Sequence, residues 1–171
     1  MENGKGISRE QVTEVHARLV EMAQGIVELR ECESILLALE PMEKKDGSFG
    51  LAPVQYGLYP LSDVSKIALP FFMQAMAKRY GLAVYLCEAW QVIRSEKEVQ
   101  TQEYKPPSQC EDRVEVVVMF FVADGWRAQV SHPVTTVNGK RTLPDAAIVY
   151  EDKDTRFMGA MVGSTPERTV Q

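Results

Sequence analysis

Val12, Val15, Leu19, Met22, Ile26 and Leu29 recur at intervals of three and four residues, the spacing that places side chains along one face of an α-helix. Val20, Ala23 and Val27 flank this seam, and Glu10, Glu14, Arg18, Glu21 and Glu28 occupy the other side. The pattern predicts an amphipathic helix from about Arg9 to Arg30. Ser8 with Gln11 three residues on fits a capping box, in which the two side chains satisfy backbone N–H groups at the helix start. The seam spans about three heptads, barely enough for a coiled coil, so docking on a sheet is the simpler expectation.

The run Ser34-Ile35-Leu36-Leu37-Ala38-Leu39-Glu40-Pro41 reads as a strand or a helical turn, which periodicity does not separate. From Met42 to Leu61 the chain reads as a loop excursion, broken by Gly47, Gly50, Pro53, Gly57 and Pro60. An excursion of that length is expected to be a binding loop or a flap, with Phe49, Tyr56 and Tyr59 packing beneath it. Ser62 is a good N-cap for a second helix to Tyr80, stopped by Gly81, with Val64, Ile67, Ala68, Phe71, Ala75 and Met76 as its apolar stripe. Pro70 should kink this helix or split it.

Beyond it the period changes to two. Leu82–Ile93 and Val114–Ala123 are rich in β-formers, and Trp126, Ala128 and Val130 alternate with Arg127, Gln129 and Ser131. Asp124-Gly125 between two such runs signals a hairpin whose type I′ turn needs positive φ at both positions. Asn138-Gly139 is a second candidate turn, between 134–137 and 140–143, and Ala146–Tyr150 a last edge strand. Helices first and hairpin-linked strands later give an α+β fold: an antiparallel sheet of four to five strands packed by two amphipathic helices. Residues 1–163 form one domain, with order expected at Phe157-Met158, and 164–171 a flexible tail.

Two strands are apolar on both sides. Val84, Leu86, Trp90 and Val92 share one face of the first, Ala83, Tyr85, Cys87, Ala89 and Ile93 the other, and Val116–Ala123 has no polar face. Two helices about 10 Å wide, laid side by side, cover only about four strands on one face. The second face then needs a cover: the 42–61 excursion, the C-terminal tail, or a second copy in a homodimer.

Composition narrows the function classes. The 171 residues are 45% hydrophobic and 25% charged, a globular balance that excludes wholesale disorder. A net charge of −5 argues against a nucleic-acid partner, which needs a dense basic face. No stretch reaches the roughly 18–20 apolar residues of a membrane span, and Met1–Gly6 precedes no signal-like apolar core, so a cytoplasmic protein is expected. Three cysteines, Cys32, Cys87 and Cys110, match neither a redox pair nor a zinc knuckle and read as reduced thiols. The two histidines, His16 and His132, have no metal-ligand spacing, and there is no GxGxxG or GxxxxGK[ST] for a nucleotide. No cofactor, metal or catalytic residue is therefore assigned; a Cys110–His132 thiolate pair would need the fold to join them.

Glu88 is the one carboxylate in an apolar strand, on the face of Trp90. Buried without a partner it would be costly and its pKa raised. Either it pairs with Arg113 or Arg94, or Glu88, Trp90, Arg113 and Glu115 line a ligand pocket. Asp112, Arg113 and Glu115 also read as strand-start ion pairs.

Glu88-Ala89-Trp90 followed by Pro107-Ser108-Gln109-Cys110-Glu111-Asp112-Arg113-Val114-Glu115 resembles a loose group of small bacterial and phage hypothetical proteins. These carry a Glu-Ala-Trp strand and a Pro-Ser-x-x-x-Asp-Arg-x-Glu segment, and the resemblance covers about Ile67 to Phe157. Members often have His-Pro where this chain has Cys110-Glu111, which counts against histidine chemistry there. The resemblance implies a cytoplasmic, prophage-associated setting and brings no activity with it. The expected function is a non-catalytic binding or accessory module that self-associates. The alternative is a small enzyme or ligand-binding domain with a pocket near Glu88, Trp90 and Arg113.

Overall fold

The structure is a computed structural model and describes residues 6–29, 32–60, 62–92 and 109–152. Arg94, Phe157-Met158 and the 164–171 tail lie outside the described residues.

Helix α1 (Arg9–Leu29) starts as expected: Gln11 N–H donates to Ser8 Oγ (3.2 Å) and Ser8 N–H to Gln11 Oε1 (2.9 Å). Its buried line is Val12, Val15, Leu19, Ala23 and Val27, whereas Met22 and Leu29 are exposed. The seam therefore follows the helical period of 3.6 across the sheet, not the 3.5 of a coiled coil.

Over 42–58 the chain is not a loop excursion or a flap, and Leu61 lies outside the described residues. Strand β1 (Ile35–Glu43) and strand β2 (Phe49–Leu58) form an antiparallel hairpin. Its turn is held by Lys44 N–H to Ser48 O (2.7 Å) and Gly47 N–H to Lys44 O (2.9 Å), with Gly47 at φ 78°. The breakers are tolerated because of where they fall. Pro41 lies past Leu39, the last β1 residue paired to the next strand inward, and Pro53 lies on β2, an outermost strand, beside a bulge opposite Ala38/Leu39. At such positions a missing N–H breaks no inner ladder bond. Phe49 and Tyr56 are exposed, contrary to the packing role expected of them, while Tyr59 is partly buried.

Helix α2 (Asp63–Tyr80) has the expected Ser62 N-cap in a capping box with Ser65 and ends at Gly81, whose φ of 113° suits glycine. It runs through Pro70 as one element. Strands β3 (Leu82–Gln91), β4 (Val114–Ala123) and β5 (Trp126–Pro133) follow, then a small β6 (Thr135–Val137)–β7 (Lys140–Thr142) hairpin and β8 (Val149–Asp152). Asn138 and Gly139 both have positive φ, as a type I′ turn requires, whereas in Asp124-Gly125 only the glycine does.

The architecture is α+β, with a six-stranded antiparallel sheet in the order β2-β1-β3-β4-β5-β8. The helices do not share a face. The α1 line packs on Val84, Leu86, Val117, Met119, Phe121, Ala128 and Val130. On the reverse side Leu69, Met73, Met76 and Ala77 of α2 pack on Ala83, Tyr85, Cys87, Phe120 and Val122. This explains why β3 and β4 are apolar on both sides, and it removes the need for a flap, a tail or a twin over the second face.

Candidate functional site

Glu88 lies on the α1 side of β3, one register step from Glu115 on β4, since Glu88 faces Val117 and Trp90 faces Glu115. Its cationic partner is neither Arg113 nor any residue of β3 or β4. Arg141, carried in from β7, donates from Nη2 to Glu88 Oε1 (3.0 Å) and to Glu115 Oε1 (2.6 Å). The other Glu88 oxygen accepts the Cys32 N–H at 2.6 Å, just past the end of α1. Gln24 holds the same hairpin to α1: its Nε2 donates to Arg141 O (3.1 Å) and its Oε1 accepts from Leu143 N–H (2.8 Å).

Only 9% of the Glu88 side chain is exposed. Burial, followed by the Glu115 carboxyl beside it, holds its pKa above the ordinary carboxylate value. Burial opposes the charge on Arg141, but Glu88 and Glu115 outweigh it and raise that pKa. Both effects describe a cation clamped between two carboxylates. Arg113 instead lies over the Trp90 ring, 4.6 Å from its centre. The four expected pocket residues thus sit at one end of the sheet, as an ion cluster and a stacked pair. A depression of about 200 Å³ borders Arg113 and is lined by Gln109, Cys110, Glu111 and Arg113, without Glu88, Trp90 or Glu115.

A second cluster joins the two histidines. His132, on the α1 side of β5 and 1% exposed, has Nδ1 at 2.8 Å from Pro144 O and Nε2 at 2.9 Å from His16 Nε2. A carbonyl only accepts, so His132 carries its proton on Nδ1, and His16 donates from Nε2. Both His132 nitrogens are occupied in this way, which leaves none for a Cys110 thiolate pair. Burial, then the neighbouring His132, lowers the His16 pKa, while Asp145 works in the opposite direction. Nothing in the linear spacing of positions 16 and 132 announced this contact. Cys87 is fully enclosed, and burial pushes its thiol up to about 12, the behaviour of a small core hydrophobe. Among the described residues no group of three or more His, Cys, Asp or Glu side chains could hold a metal ion.

The third feature is a surface. Of the stripe expected to bury α2, Met76 is buried, but Ile67 is 67% exposed and Phe71 66%, with Ala68 and Ala75 also exposed; Phe72, outside that stripe, is 46% exposed. The helix is apolar on two faces and only one meets the sheet. Between Ile67 and Ala77 its sequence carries no charge. Alongside Phe72 and Met76 a groove of about 160 Å³ runs to Leu36, the end of β2 from Gln55 to Leu58, and Tyr59. Tyr59 forms its wall, stacked on Phe72 (ring centres 6.2 Å apart) and edge-on to Tyr85 (6.3 Å).

No family model matches the chain, and no curated protein or solved structure matches it. Among the described residues no helix is long and apolar enough to cross a membrane.

Proposed function

We propose that the protein is a non-catalytic binding or accessory module of the cytoplasm that self-associates as a homodimer, and that the outer face of α2 is its docking surface. The observation that carries this reading is the second apolar face of α2, with Ile67, Phe71 and Phe72 open to solvent. A helix apolar on all sides belongs in an interior, and a large exposed apolar patch marks an interaction site. The occupied polar clusters support the same reading. Glu88 is clamped by Arg141 and Glu115, and His132 by His16 and Pro144. Hydrogen bonds within the chain hold both clusters, as buried polar groups of a structural kind require. The resemblance to small bacterial and phage proteins adds a cytoplasmic setting.

Light scattering on the purified chain at micromolar concentration tests the proposal. A dimer that Phe71→Glu converts to a folded monomer is the expected result; a monomeric wild-type chain sinks it.

A further inference from the structure

Resting on the self-association reading, we infer that the partner on this surface is a second copy of the chain, with the two α2 helices packed antiparallel about a two-fold axis between Phe71 and Phe72. The exposed stripe of α2 has an internal order. At 100° per residue, Ala68 and Ala75 lie on its midline, Ile67 and Phe71 on one flank, and Phe72 on the flank beside the groove. Small residues on the midline let two backbones approach, and large ones on the flanks close the sides.

The midpoint of Ala68 and Ala75 is also the midpoint of the helix, which spans Asp63–Tyr80. A two-fold axis at that point sets Ala68 of each copy against Ala75 of the other. It interleaves Phe71 with Phe72 across the axis and overlaps the helices along their full length. Homodimer interfaces of this isologous kind need a surface complementary to itself.

Charge selects the antiparallel direction. The last turn of α2 carries Lys78 and Arg79, and parallel packing would bring these four cations together. Antiparallel packing keeps the two basic ends at opposite ends of the interface and opposes the two helix dipoles.

The area is sufficient. Ile67, Phe71 and Phe72 at their observed exposures, with the two alanines, leave on the order of 400 Å² of apolar surface per copy. Two copies supply about 800 Å². At the roughly 60–65% apolar fraction of homodimer interfaces this corresponds to about 1,300 Å² in total, within the range of stable specific interfaces.

Disulfide trapping tests the geometry in a Cys110→Ser background, with fold checked by circular dichroism. An equimolar mixture of Ala68→Cys and Ala75→Cys chains should cross-link on mild oxidation. Neither variant alone should, because the two copies of position 68 lie about 10 Å apart along the axis, beyond disulfide reach. Cross-linking of either variant with itself would overturn the antiparallel register. A wild-type dimer by light scattering that yields no cross-link in any combination would overturn this interface and leave self-association standing. A monomer would remove both.

Discussion

His16 Nε2 and His132 Nε2 lie 2.9 Å apart, and this bond ties α1 to β5 across the top of Phe121, whose ring meets His16 edge-on. His16 has a folded pKa below its ordinary 6.5. In the unfolded chain it therefore takes up a proton first as the pH falls. Its contribution to stability is complete above pH 6.5 and is lost as the pH falls toward the folded value. Thermal melts between pH 8 and pH 5 should show Tm falling below about pH 6.5, and His16→Gln should flatten that part of the curve. A wild-type profile that the variant reproduces would contradict this.

Arg141 holds two carboxylates together, so its removal should cost more than its own contacts. Arg141→Met leaves Glu88 and Glu115 facing each other and should destabilise by about 2–4 kcal/mol in urea unfolding. Adding Glu88→Gln should recover much of this loss, because burial and the Glu115 carboxyl raise the Glu88 pKa, so its charge is one the fold disfavours once Arg141 is gone. Arg141→Lys should recover less in the Glu88 background, since one ammonium does not reproduce the guanidinium fork.

The two faces of α2 make opposite predictions. Met73 is fully buried against the sheet, and Met73→Ala should cost about 2–4 kcal/mol at every protein concentration. Phe71→Ser should leave the monomer's unfolding free energy within about 0.5 kcal/mol. It should abolish the rise of Tm with protein concentration that a dimer displays. Chemical denaturation and melts over a hundredfold concentration range separate the two.

Two glycines should respond with opposite signs to alanine. Gly25 lies exposed inside α1 with open space where a Cβ would go, so Gly25→Ala should stabilise by about 0.5–1 kcal/mol. Gly81 ends α2 at φ 113°, and a Cβ there would stand 3.3 Å from Pro41 Cδ and 3.4 Å from Ile7 Cδ1. Gly81→Ala should destabilise by at least about 1 kcal/mol, the backbone being unsuited to a side chain. Differential scanning calorimetry of both variants checks the signs.

Short-range chemistry was legible in the chain. Ser8 with Gln11, Ser62, Gly81 and the Asn138-Gly139 turn act within a few residues of themselves, and the structure uses each as the local pattern implies. The double apolarity of β3 and β4 was equally plain, and it demanded cover on both sides of the sheet. The hairpin at 42–61 was not legible, because the cost of Pro53 or Gly57 in a strand depends on whether that strand is outermost, which the strand does not encode.

That single feature decided the rest. Once β2 exists, β2 and β3 both run antiparallel to β1, and α2 becomes a crossover between parallel strands. Such connections have a strongly preferred hand, which assigns α2 to one face of the sheet and leaves the other to α1. The chain alone determined the two helices, the strands from Leu82 onward and the double apolarity of β3 and β4, because these follow from backbone preferences and local periodicity. Tertiary structure alone decided that Arg141 meets Glu88 across 53 residues, that His16 meets His132 across 116, and that α2 keeps an apolar face in the open. Those outcomes depend on which surfaces the topology brings together, and no segment contains that information by itself.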